Sequence, residues 1–168
     1  IFVTVGTQYP FDRLLAEVDA WAAVSGERVV AQVGGSNKEY ENLETVGFIP
    51  TEEFESLLDE ADLVVSHAGM GTIIACALRG KPLIVLPRRH RLGEHTDDHQ
   101  VESAARMERF GLAKVVQESN EIIPYLTDWG SLASEGIGEQ PTGEILESLR
   151  EFAYRDQEAG KGRRGWIL

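Results

Sequence analysis

Short apolar runs, many of them β-branched, alternate along this chain with segments whose apolar residues recur at helical spacing. Residues 1–5 form the first run, closed by Gly6-Thr7; residues 11–24 follow with Phe11, Leu14, Leu15, Val18 and Ala22 on one helical side. After Gly26 the run 28–33 reads as a second strand, ended by Gly34-Gly35. One strand–helix–strand unit is thus complete by residue 33, and such a crossover implies parallel pairing with a right-handed connection. The alternation continues with a strand at 45–48 and a helix at 51–58, with Thr51 as its cap and Glu52, Glu53 and Glu55 in its first turn. A strand at 63–65, a loop at 66–71, a helix at 72–79 stopped by Gly80, and a strand at 83–86 come next. A helix at 97–110, with Val101, Ala104, Ala105 and Phe110 on its apolar side, and a strand at 113–116 complete the series. Six short strands alternating with helices predict an α/β fold: a single Rossmann-like, doubly wound, mostly parallel sheet of about six strands.

Beyond residue 116 the pattern weakens. Residues 121–126 read as a helix, 130–143 as a Gly- and Ser-rich loop or linker, and 144–154 as a helix with Ile145, Leu146, Leu149 and Phe152 on one side. The expected organisation is a core over 1–118, C-terminal helices over 119–155 that pack on or extend it, and a basic tail over 156–168. The tail either has no fixed structure or docks on a partner or membrane surface.

Charge sharpens this picture. The chain of 168 residues carries a formal net charge of −12, with 28 acidic against 16 basic side chains. That balance argues against nucleic acid as a partner, which calls for a broad basic stripe. Five of the basic residues, Arg79, Lys81, Arg88, Arg89 and Arg91, nevertheless fall between residues 79 and 91 with no acidic residue among them. A local positive field in an acidic chain suggests an anionic ligand; the alternative is a solvated loop. No apolar stretch reaches membrane-spanning length and no secretory signal is present, so a cytoplasmic location is expected. Cys76, the single cysteine, is expected to be a buried, inert thiol.

Ligands of open α/β sheets lie beyond the carboxyl ends of the strands. The loop that holds Ser66, His67, Gly69, Met70 and Gly71 runs into a helix at Thr72, where unpaired amides and the positive end of the helix dipole suit a diphosphate. Gly6 and Thr7 offer a second such turn. Neither the dinucleotide fingerprint GxGxxG nor the phosphate-loop GxxxxGK[ST] occurs, which removes the best support for dehydrogenase and ATPase readings.

The succession "SHAGMGTII", "GKPLIVLPR", "GEHTDDHQ" resembles the carboxyl-terminal, donor-binding domain of GT-B glycosyltransferases. The resemblance is nearest to the small soluble subunits of split enzymes acting on polyprenyl-linked sugars, both the dolichol-pathway N-acetylglucosaminyltransferase type and bacterial exopolysaccharide counterparts. "FVTVGTQYPFDRLL" resembles the same subunits. The resemblance implies that Gly6 and Thr7 approach the diphosphate of a UDP-sugar and that Phe48 and Ile49 contact its uracil. It implies that His67, Gly69, Met70, Gly71 and Thr72 surround the phosphates, with Arg88 nearby, and that Asp98, His99 and Gln100 reach the sugar; Ser66, as a hydroxyl donor, and Glu94 are counted with these nucleotide-sugar-binding residues. Where several relatives carry a glutamate for the ribose, this chain has Ala75. The bacterial subgroup often matches at that position.

The implied activity is inverting transfer of a hexose or N-acetylhexosamine to a lipid-linked glycan. No cofactor or metal is implied. The base belongs to a membrane-anchored, acceptor-binding partner, through which the chain would sit at the cytoplasmic membrane face. Two alternatives stay open: a nucleotide-sugar epimerase-like enzyme, and a non-catalytic stabilising partner of a membrane glycosyltransferase. His95 and His99 stand at a spacing that can bind zinc on a helix, but no HExxH motif is formed. His67 reads equally as a structural histidine bonded to loop backbone.

Overall fold

The computed structural model describes residues 1–139 and residues 141, 143, 145 and 147. Six strands, β1 (Phe2–Thr4), β2 (Val30–Gln32), β3 (Glu44–Val46), β4 (Val64–Ser66), β5 (Leu83–Val85) and β6 (Lys114–Val115), form one sheet in the order β3-β2-β1-β4-β5-β6. Every pairing is parallel, in register from Phe2 opposite Val30 and Val64 to Val85 opposite Val115. β1, β2, β4 and β5 are buried throughout, which explains why they read as unbroken apolar runs without alternation.

Helices α1 (Asp12–Ser25), α2 (Thr51–Glu60), α3 (Met70–Arg79) and α4 (His99–Arg109) connect the strands, followed by the short α5 (Ile122–Thr127) and α6 (Ser131–Ser134). Two core clusters lie on opposite faces of the sheet. One holds Val3, Val65 and Ile84 with Leu14, Leu15 and Val18 of α1; the other holds Phe2, Val64 and Val85 with Leu58 of α2, Ile73 and Cys76 of α3 and Met107 of α4. β3 is an edge strand with Glu44 and Thr45 exposed, and Glu44 pairs with Arg28 at 2.7 Å.

The expected alternation is present, with three local differences. Pro50, not Thr51, occupies the cap position of α2: its extended backbone and missing N–H suit the last residue before a helix, and Thr51 becomes the first helical residue. α3 begins at Met70, so Met70 and Gly71 belong to its first turn, and Ser66 ends β4. The stretch expected as a Gly/Ser loop from residue 130 contains α6, and Leu132 and Ile137 are buried with Ile122 and Leu126 in the α1-side cluster. Burial of these two apolar side chains outweighs the loop propensity of their neighbours. The predicted tail over 156–168 lies outside the described residues, as does most of the predicted helix at 144–154.

Candidate functional site

The strand order reverses between β1 and β4, and the two turns that leave these strands meet at that switch point. Gly6, at φ 71°, follows β1; its N–H donates to Thr4 Oγ1 (3.2 Å), whose hydroxyl donates to Gln32 Oε1 (2.6 Å). After β4, Ser66 Oγ donates to the His67 carbonyl at 2.8 Å, and the Gly69 N–H donates to the same oxygen at 2.8 Å. The His67 imidazole lies between the turns. A Cβ at Gly6 or at Gly69 would fall 2.7 Å from His67 Cε1, closer than real Cβ atoms approach anything. These glycines therefore make room for a ring of the protein itself, a reason for them beyond close approach of a ligand. Burial of the ring, aided by the nearby Arg88 cation, pushes its pKa down to about 3, so it is neutral at physiological pH.

α3 starts immediately behind this ring. Gly69 supplies no side-chain cap; its carbonyl accepts from Ile73, while the amides of Met70, Gly71 and Thr72 have no backbone acceptor among the described residues. Open amides on a ten-residue helix with no acid in its first turn leave the positive dipole end uncompensated, an arrangement suited to a phosphate group. Thr72 is buried and Gly71 exposed. Thr7 continues the Gly6 turn, half-buried.

The basic residues between 79 and 91 do not form one cluster in space. Arg79 and Lys81 precede β5, at the end of the sheet away from these turns, where Arg79 pairs with Asp59 (2.8 Å) and Lys81 donates to the carbonyls of Asp59 and Ala61. Arg89 and Arg91 pair with Glu118. The positive field inferred from their spacing in sequence is thus largely neutralised locally. Arg88 is buried, 2% exposed, and turned inward: its Nη2 donates to the carbonyls of Val5 (2.6 Å) and Tyr9 (2.5 Å).

The segment expected to reach the sugar divides similarly. Glu94 is committed to the protein: its carboxylate receives Arg13 Nε (2.7 Å) and Nη2 (2.9 Å), and the Arg89 amide (3.0 Å). Asp98 Oδ1 accepts from the His90 amide at 2.8 Å. Gln100 is buried, its Oε1 accepting the Arg88 amide at 3.2 Å. His99 is more than half exposed and lines an open recess with Met70, Glu102, Ser103, Arg106 and Met107. This recess joins two expected site residues from α3 and α4, and adds Ser103 and Arg106. Their positions four and seven residues after His99 put them on its helix face, a signal legible in sequence. Arg13 had no comparable signal.

Phe48 is 66% exposed on the loop after β3. Ile49, Met70, Ile74 and Ala75 are half-buried against the α3-side core. His95, Asp97 and His99 bring one donor atom each within 4.8 Å of one another, with His99 Nδ1 in contact with Asp97 Oδ1 and the His95 ring edge-on to His99 at 4.6 Å. Two imidazoles and a carboxylate are a donor set for zinc-like ions, but Asp97 and His99 already satisfy each other and both are largely open to water.

Comparison with known proteins shows the family and the fold. The chain is 34% identical over 111 residues to the UDP-N-acetylglucosamine--N-acetylmuramyl-(pentapeptide) pyrophosphoryl-undecaprenol N-acetylglucosamine transferase of Prochlorococcus marinus, covering 64% of this chain and 29% of that protein. It is 36% identical over 88 residues to the UDP-N-acetylglucosamine transferase subunit ALG13 of Cryptococcus neoformans, covering 49% of this chain and 42% of that protein. The chain thus spans less than half the length of these relatives. Among solved structures, the calicheamicin glycosyltransferase CalG4 superposes with a TM-score of 0.59 at 22% identity, over 96% of this chain and 43% of that one. The solution structure of ALG13 superposes with a TM-score of 0.52 at 21% identity, over 84% and 88%. Residues 1–128 match the glycosyltransferase family 28 C-terminal domain, and the chain belongs to that family.

Proposed function

We propose that this domain binds the UDP moiety of a UDP-hexose or UDP-N-acetylhexosamine and presents the sugar for transfer to a lipid-linked glycan held by a membrane-anchored partner. One observation carries the reading: the unpaired amides of Met70, Gly71 and Thr72 at the switch point, beside the Gly6 turn. Inverting transfer needs a base, an acceptor hydroxyl and stabilisation of the departing diphosphate. The amides and dipole of α3 would supply the last, because negative charge grows on the UDP oxygens as the glycosidic bond breaks. Phe48 and Ile49 would receive the uracil, while His99 would reach the sugar. The names of the relatives favour UDP-N-acetylglucosamine as donor and a pyrophosphoryl polyprenol as acceptor. The word subunit in one of those names supports a partner chain, and to that partner the reading assigns the base and the acceptor site. No helix among the described residues is long and apolar enough to cross a membrane, so attachment through a partner fits.

Titration of ¹⁵N-labelled protein with UDP tests the reading. Amide shifts concentrated at Gly6, Thr7 and residues 70–72 are expected. Shifts confined to another face, or none at millimolar UDP, would overturn it.

A further inference from the structure

Arg88 was expected at the phosphates, yet its Nη2 is committed to the protein. A single nitrogen, Nη2, ties the carbonyls of Val5 and Tyr9 together, the two ends of the turn that carries Gly6 and Thr7. Its guanidinium lies 5.0 Å over the Phe11 ring, at the residue from which α1 starts. The backbone N–H of Arg88 is held by Gln100 Oε1, on the first turn of α4. Nε is buried and has no partner among the described residues. Glu94, the acid whose charge most favours the cation, makes no hydrogen bond to it, because its oxygens serve Arg13 and the Arg89 amide. A buried cation without a bonded carboxylate is costly to keep, and burial brings its pKa down to about 10. An apolar side chain could fill the volume without that cost but could not join the two carbonyls.

We infer that Arg88 is a positioning residue of the donor site: it does not touch the nucleotide, but fixes the Gly6–Thr7 turn through Val5 and Tyr9 and the Gln100 end of α4 through its own amide. The diphosphate and sugar ends of the site are thereby locked in one register. Residues that hold reacting groups in register act steeply, since displacements near 1 Å cost large factors in rate or affinity. This inference rests on the nucleotide-sugar reading above.

Arg88→Met and Arg88→Lys test it, because lysine can donate to both carbonyls from one nitrogen and methionine cannot. In unliganded Arg88→Met, hydrogen exchange should accelerate, and ¹⁵N shifts should change, at residues 6–9, with residues 70–72 unmoved and residues 99–101 changed little, because the main-chain bond from the Arg88 amide to Gln100 is kept. UDP affinity should fall at least about tenfold in Arg88→Met and recover to within about threefold of wild type in Arg88→Lys. UDP binding by Arg88→Met within about twofold of wild type, or an unliganded 6–9 turn unaltered by the substitution, would overturn the inference. So would equal losses in both variants. Should Arg88→Met not fold, Gln100→Ala removes the second arm and must itself perturb residues 87–89, or the proposed coupling fails. Failure of wild-type protein to bind UDP would refute the nucleotide reading, while the exchange comparison in unliganded protein still decides the coupling.

Discussion

The imidazole of His67 fills the space in which a side chain at Gly69 would begin, with His67 Cε1 2.7 Å from that Cβ position. Gly69 has an ordinary φ of −84°, so its identity is dictated by this ring and not by backbone conformation. Gly69→Ala is expected to destabilise the domain by about 1–3 kcal/mol, as overpacking does. In the double variant His67→Ala/Gly69→Ala the clash is gone, so urea unfolding should show a loss at least about 1 kcal/mol smaller than the sum of the singles. Additive losses would show that the contact carries no energy.

The same ring makes stability depend on pH in a window where carboxylates are silent. In the unfolded chain His67 takes up a proton near its ordinary value of 6.5, whereas the folded ring resists until about 3. Protonation therefore favours the unfolded chain: stability is complete above pH 6.5 and declines as pH falls. The depressed carboxyls of Asp12, Asp97 and Glu121 add losses of the same sign only further down, near and below their ordinary values of 3.8 to 4.5. Urea midpoints should drop between pH 7 and about pH 5, and drop less in His67→Gln, with His95, also lowered by burial, accounting for a remainder.

The strand frame and its loops were readable because the buried parallel strands are apolar runs, two of them followed closely by Gly6 and Gly34, while Gly80 ends α3. The candidate turns followed from the rule that such sheets bind ligands at their carboxyl ends. Arg88 and Glu94 turn their side chains to protein partners that the sequence did not suggest, since no local pattern tells whether a loop arginine will point outward or fold back on distant carbonyls. The 79–91 cluster misled for a related reason: residues that precede and follow one strand, here β5, lie at its opposite ends. α6 was hidden because glycine and serine around it advertise a loop, while Leu132 and Ile137 find a core contributed by α1, more than a hundred residues earlier.

Arg13 and Glu94 form a bidentate pair with side chains 18% and 12% exposed. Because Glu94 also holds the Arg89 amide, Glu94→Gln should cost about 2–3 kcal/mol in thermal unfolding. Replacing both partners by methionine should cost less than the two single changes added, since no charge is then left buried alone.

Cys76 sits in α3 against Ile73 and Val64, and burial pushes its thiol up to about 12. Native protein should not react with Ellman's reagent over hours at pH 8 and should release one equivalent in denaturant. Fast reaction under native conditions would place this helix face at the surface.

Diphosphate binding that relies on amides and a helix dipole needs no bridging ion. UDP affinity measured by calorimetry should agree within about twofold in excess chelator and in millimolar magnesium. A strong magnesium requirement would bring the His95, Asp97 and His99 donors into the binding reaction.

The two edge strands are short: β6 has two residues, and β3 has three and leads with Glu44 in an exposed pair with Arg28, worth little to stability. A brief margin bearing charge makes a poor template for a strand from another chain. Copies of this domain are therefore guarded against zippering into larger sheets, and a stable assembly would have to be built from its helices and turns.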